Sequence, residues 1–333
     1  MAVQRIAYVE LYVDDHDEAV RYFTSALGFV HEAVSAGPGL TSTLLRQGAA
    51  TLAVSSGRRA EPFLEAHGDG VADIALECAD VPATMRAAMA AGAEPYGPLR
   101  VLGVGGLVHT LVERGSTRPG DREWGAPARR SPVNAPPHIV ALDHVAACVR
   151  AGSLSAVSSF YAAAFGLERY SSERIALGDQ AMDSVVLRDL AGEVTFTILE
   201  PDDACSPGQI DAFLERNAGP GVQHLAFRVG DIVPAVRDMR DNGVTFLTTP
   251  GAYYDALVER ISGLREEIEG LRDANVLADR DEWGYLLQLF TSSPHQRDTL
   301  FYELVQRRGA RGFGSANIKA LYEAVERDRV TAR

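Results

Sequence analysis

The sequence predicts an α+β fold in which one βαβββ-type design is used in two halves. Three observations predict it. Segments 6–29 (IAYVELYVDDHDEAVRYFTSALGF) and 142–166 (LDHVAACVRAGSLSAVSSFYAAAFG) share a strand, a polar break, an amphipathic helix and a closing glycine. The segments opening at Gly70 (GVADIALECADVPATMRAAMAAGAEPY) and Gly221 (GVQHLAFRVGDIVPAVRDMRDNGVTFL) share strand, turn, helix, glycine and strand. A short strand, GLVHTLVER at 106–114, recurs as TLFYELVQR at 299–307. Self-similarity of this kind marks a duplicated unit, and 333 residues suit about two domains.

In the first half, the alternation from Ile6 reads as a strand, and the helix after it carries the aromatic pair Tyr22-Phe23 before Gly28. GVGG at 103–106 lacks the Lys-Ser/Thr ending of a phosphate loop and predicts a tight turn. Residues 115–138, GSTRPGDREWGAPARRSPVNAPPH, are rich in Pro, Gly and Arg, have no periodicity and predict an irregular connector. The domain reading is therefore 1–114, connector 115–138, and 139–333.

The second half repeats the pattern, with Phe160-Tyr161 as its aromatic pair and Gly166 as its stop. Around 253–280 it carries an insertion. YYDALVERISGLREEIEGL predicts a charged helix with Leu257, Ile261, Leu264 and Ile268 on its apolar face. From 314, Ser315 predicts an N-cap for a last helix whose face is Ile318, Leu321, Tyr322 and Val325.

Composition narrows the function. A net charge of −13 repels phosphate backbones and argues against nucleic-acid binding. No stretch approaches the roughly 20 apolar residues that cross a bilayer, and the N-terminus reads into a strand without a signal peptide's apolar core. Cys78, Cys148 and Cys205 have no CxxC spacing. They predict a reducing, cytoplasmic setting without disulfides or zinc thiolates.

The repeat also isolates the chemistry. His144 aligns with Tyr8, His224 with Asp73, and Glu303 with Thr110. The second half thus has His, His and Glu on apolar strands. An unpaired Glu303 between Phe301 and Val305 would cost several kcal/mol to bury, a cost that a divalent metal offsets. Two histidines and a carboxylate form the facial triad of non-haem Fe(II) oxygenases. Among the other histidines, His16, His31, His67 and His138 read as solvated and His109 as structural. His295, in the turn SSPHQRD, reads as solvated or as part of the site's rim.

With these residues in place, the chain resembles the 4-hydroxyphenylpyruvate dioxygenase family of the vicinal oxygen chelate superfamily, over nearly its whole length. The matching stretches are LDHVAAC, GVQHLAF, GYLLQLFT (284–291), FYELVQR and GFGSANIKALYEAVE (312–326). The resemblance implies two barrels of paired βαβββ modules, the first degenerate, and Fe(II) on His144, His224 and Glu303. It implies a small aromatic 2-oxo acid and O2 as partners, with the oxo acid itself as electron source. It also implies that Ser184, Thr197, Leu199, Gln223, Gln288, Phe290, Phe301 and Ile318 line or shape the substrate site, that the tail helix is a lid, and that the chain is a homodimer or a homotetramer.

The family runs two chemistries on one substrate: ring attack to homogentisate, and benzylic hydroxylation to 4-hydroxymandelate. The family's dioxygenases usually show Asn in a Pro-(Ile/Leu)-Asn-Glu-Pro stretch, where this chain has Leu199, and Phe in Gly-Asn-Phe, where it has Ile318. Both departures make the wall aliphatic, as in the hydroxymandelate-forming members. The expectation is therefore benzylic hydroxylation, a chemistry suited to non-ribosomal peptide and antibiotic biosynthesis. The rivals are homogentisate formation, a relative using phenylpyruvate or another 2-oxo acid, and a metal-free binding protein, which the intact triad argues against.

Overall fold

The computed structural model describes residues 3–127, 137–314, 316 and 317. Its first half runs β1 (Val3–Tyr12), α1 (His16–Arg21) extended by a π-helical turn (Tyr22–Ala26), β2 (Val30–Gly37), β3 (Leu40–Gln47), β4 (Ala50–Ser56), α2 (Glu61–His67), β5 (Gly70–Cys78), α3 (Val81–Ala90), β6 (Arg100–Leu102) and β7 (Val108–Val112). Its second half runs β8 (Ile139–Cys148), α4 (Leu154–Phe165), β9 (Glu168–Leu177), β10 (Gln180–Arg188), β11 (Thr195–Pro201), α5 (Gln209–Arg216), β12 (Gly221–Val229), α6 (Ile232–Asp241), α7 (Gly251–Arg260), α8 (Ile268–Ala274), β13 (Leu277–Arg280), β14 (Tyr285–Phe290) and β15 (Phe301–Arg308).

Local chemistry starts and stops these elements. Asp15 accepts from the Glu18 N–H and Asp80 from the Ala83 N–H, each at 2.8 Å, satisfying helix-start donors. Gly166, at φ 71°, ends α4 in the left-handed conformation.

Each half curls one sheet, of seven strands ordered β2-β3-β4-β1-β5-β7-β6 and of eight ordered β13-β14-β15-β12-β8-β11-β10-β9. The fold is α+β with tandem vicinal-oxygen-chelate modules. The repeat holds in strand register. Tyr8 faces Ala75 as His144 faces Ala226, and Glu10 faces Asp73 as Ala146 faces His224. Asp73 pairs with Val108 as His224 pairs with Phe301.

The aromatic pairs cross between halves. Phe23 meets Tyr302 of β15 at 5.4 Å, while the Tyr161 hydroxyl bonds His109 of β7 at 2.8 Å. His109 is fully buried, as a structural residue should be.

One expectation is revised. The insertion is not one helix: α7 and α8 are separated by a 3-10 turn (Ser262–Leu264). Gly263 passes so close to Tyr285 that an added Cβ would lie 2.1 Å from its hydroxyl. Leu257, Ile261, Leu264 and Ile268 are nevertheless all buried. The connector, in its described part to Pro127, is irregular but docked. Arg122 binds Glu10 at 2.7 and 3.2 Å, and Gly125 bridges to Val34. The last helix expected from Ser315 lies outside the described residues, apart from Ala316 and Asn317.

Candidate metal centre

Strands β15, β12 and β8 are neighbours, and each presents one functional side chain on the same face. Ala226 is paired with both His144 and Glu303, so the smallest side chain separates the two ligands. The Nε2 atoms of His144 and His224 lie 3.3 and 3.5 Å from Glu303 Oε2. One donor atom from each of the three falls within 4.8 Å of the others. Metal–ligand bonds of about 2.1 Å at right angles place donors roughly 3 Å apart. Two imidazoles and a buried carboxylate at this spacing fit a divalent first-row metal.

Both histidines are held the same way. A register shift leaves Asp143 as a bulge residue in β8, and another leaves Gln223 as one in β12. The His144 Nδ1–H donates to Asp143 Oδ1 at 3.0 Å, and the His224 Nδ1–H to Gln223 Oε1 at 3.3 Å. Each Nε2 is thereby turned toward Glu303, the side on which a metal would sit. Arg307 fixes Asp143 with two bonds of 2.8 and 2.7 Å.

The electrostatics follow these partners. Burial pushes Asp143 up, but the Arg307 guanidinium and His144 outweigh it and hold its carboxyl well below the usual range. Burial works against charge on His144, but Asp143 and Glu303 outweigh it and raise its pKa to about 9. His224, beside a neutral amide, is lowered by burial against the pull of Glu303. Glu303 is raised by burial yet lowered overall by its two imidazoles. Without a metal, Glu303 is thus favoured as a carboxylate and His224 as the neutral imidazole, while His144 holds a proton that a metal at its Nε2 would displace.

The three open onto a cavity of about 420 Å³, in the size range of small-molecule sites. Thr197, Leu199, Gln223, Gln288, Phe290 and Phe301 line it. Phe301 stacks on His224 with ring centroids 5.0 Å apart. Ser184 sits opposite Leu199, but its hydroxyl donates to the Glu173 carbonyl at 3.3 Å and is not in the cavity wall. Ile318 lies outside the described residues. His295 is not part of this wall either. It is buried between the halves, bonding Asp69 and Tyr302 at 3.0 Å each. Burial would raise Asp69, but His295 and the Asp14 N–H outweigh it and lower its carboxyl.

Sequence reasoning missed Asp143, Arg307, Phe313, Met182 and Ile210. The parallel Asp143-His144 and Gln223-His224 was visible as an oxygen-bearing side chain before each histidine. The bulges that turn those oxygens onto Nδ1 were not.

Two half-barrel sheets, one bearing a two-histidine, one-carboxylate cluster, define a metal-dependent oxygenase scaffold. Residues 5–113 and 143–258 each match a family model of the Glyoxalase/Bleomycin resistance protein/Dioxygenase superfamily. The 4-hydroxyphenylpyruvate dioxygenase of Yarrowia lipolytica is 31% identical over 97% of this chain and 91% of its own length. That of Aspergillus fumigatus is 31% identical over 97% and 92%. A mutant of the 4-hydroxymandelate synthase of Streptomyces coelicolor is 49% identical, with TM-score 0.88 over 98% of this chain and 99% of that one. The chain belongs to the 4-hydroxyphenylpyruvate dioxygenase family, whose members are non-haem iron dioxygenases.

Proposed function

We propose that this protein is an Fe(II)-dependent enzyme that converts 4-hydroxyphenylpyruvate and O2 to 4-hydroxymandelate and CO2. The observation that carries this reading is the His144–His224–Glu303 cluster opening directly onto a cavity whose wall includes Leu199. The extent of similarity to the Streptomyces coelicolor synthase supports it.

His144, His224 and Glu303 would hold the iron, which would supply O2 activation for oxidative decarboxylation. Gln223, Gln288 and Thr197 offer hydrogen bonds to an oxygen-rich substrate. Among the described residues the Thr197 hydroxyl is buried without a protein partner, as a substrate-facing group would be. Leu199 offers none, so the substrate ring is not pinned there by an amide and its CH2 is free to approach the reacting centre. Phe290, Phe301 and Phe313 fence the ligands from water. The domain limits 1–114 and 139–333, a cytoplasmic setting and a homodimeric or homotetrameric state complete the reading. The setting is supported by three free cysteines. Light scattering on the purified protein tests the assembly.

The deciding experiment loads the protein with Fe(II) anaerobically, adds 4-hydroxyphenylpyruvate and then air, and identifies the product by NMR. A benzylic CH–OH signal is expected. Homogentisate, the product favoured by similarity to the fungal dioxygenases, would overturn the benzylic assignment, and turnover only with another 2-oxo acid would overturn the substrate.

A further inference from the structure

Arg307 stands four residues beyond Glu303 on β15, on the same face. Its Nε and Nη2 grip both oxygens of Asp143. Its Nη1 points the other way and donates to the carbonyl oxygens of Gly312 at 2.7 Å and Ala310 at 3.4 Å. The guanidinium carbon lies 4.9 Å over the Phe313 ring, and Phe313 in turn meets His144 edge-on at 5.3 Å. Two routes therefore run from residues 310–313 to one histidine: hydrogen bonds through Arg307 and Asp143, and ring packing through Phe313.

The following residues are pinned to the same cavity. Gly314, at φ 75°, sits so near Gln288 that an added Cβ would lie 1.9 Å from its Oε1. Asn317 is fully buried and accepts from the Tyr253 hydroxyl at 2.7 Å and from Arg260 at 3.2 Å. Its amide donates to Gln288 Oε1 at 3.4 Å. Asp281 takes the N–H groups of Arg311 and Gly312 at 2.6 and 2.8 Å, so the turn leaving β15 is fixed as well.

We propose that Arg307 is a positioning residue that links the seating of residues 310–314 to the orientation of His144. The inference rests on the metal reading above. Arginine suits the task because one planar fork serves a carboxylate on one edge and carbonyls on the other, which an ammonium cannot. When residues 310–313 leave, the guanidinium loses two acceptors and an aromatic face. Asp143 then loses its rigid partner, and His144 loses both its oriented acceptor and its packing. A buried charge network holds its geometry only when complete. Linkage is reciprocal, so ligation at His144 must favour the seated stretch as much as the seated stretch favours ligation.

The test uses the full chain with Co(II) as the probe. Calorimetry measures Co(II) affinity in the wild type and in Arg307→Lys, and amide hydrogen exchange follows peptides covering 309–317 with and without the ion. In the wild type, Co(II) is expected to slow exchange across 310–314. In Arg307→Lys, Co(II) affinity is expected to fall ~10-fold or more, the usual effect of losing such a supporting partner, and the metal-dependent slowing is expected to vanish. Unchanged affinity in the variant, or wild-type exchange that ignores Co(II), would overturn the linkage while leaving the metal site standing. The second arm needs no variant, so it decides even if Arg307→Lys does not fold. A wild type that takes up no Co(II) would remove the metal reading and this inference together.

Discussion

Asp143 and Gln223 show how single residues separate the candidate metal centre from its counterpart in the duplicated scaffold. The first half keeps both bulges, at Ala7 and Ala72, by the same register shifts. Alanine has no oxygen for a neighbouring ring, and the flanking residues are Tyr8 and Asp73. Gln223→Leu is therefore expected to weaken metal binding ~10- to 100-fold by freeing the His224 ring, read by calorimetry. Asp73 has another fate. The Thr110 N–H donates to its Oδ1 at 3.0 Å and the Thr110 hydroxyl to its Oδ2. Burial, with Glu10 adding to it, raises its pKa to about 7 from 3.8. A raised carboxyl stabilises the fold below its unfolded value and loses that contribution as pH rises through the folded one. Asp73→Asn is expected to flatten stability between about pH 4 and pH 7. Urea unfolding at several pH values checks it, and an unchanged slope would contradict the assignment.

At the scale of elements, the centre depends on three adjacent strands and on what lies between their ligands. Ala226 of β12 pairs with both His144 and Glu303 and is fully buried. Ala226→Leu would insert three carbons there. A loss of metal uptake is expected, with destabilisation of ~1–3 kcal/mol from overpacking, measured by metal analysis and denaturant unfolding. Retained stoichiometric metal would mean that the strands spread more easily than their packing suggests. The connector acts as an element too. Arg122, with its Glu10 pair and a 2.7 Å bond to the Ser42 hydroxyl, fills the first sheet at a level where the second keeps small Ala146.

For the whole molecule, the two halves are joined by crossed aromatic packing and by a buried polar chain. The His295 Nδ1–H donates to Asp69 of the first half, and its Nε2 accepts from the Tyr302 hydroxyl beside Glu303. His295→Ala would leave Tyr302, fully buried, without that partner. A loss of ~1–3 kcal/mol is expected, with a single unfolding transition if the halves stay coupled. Two transitions would show that this contact, more than the aromatic core, holds them together.

Much of this was legible along the chain, because the repeat let each half act as a reference for the other. It located His144, His224 and Glu303 as departures from Tyr8, Asp73 and Thr110, and strand register places all six in matching positions. Hydrophobic periodicity also placed the aromatic pairs, although not the fact that they pack across the halves. Other features depend on contacts between residues far apart in sequence, which no local pattern carries. Arg307 reaches Asp143 across 164 positions and Arg122 reaches Glu10 across 112. Gly263 passes against Tyr285, 22 positions further on, and the Ser184 hydroxyl bonds a carbonyl on β9. By itself, then, the sequence determined the duplicated architecture and the identity of the three candidate ligands that the strands bring together, since both are written in residue type and spacing. Only the tertiary structure decided what orients those ligands, because bulges, bidentate pairs and ring stacking exist only once the strands are side by side.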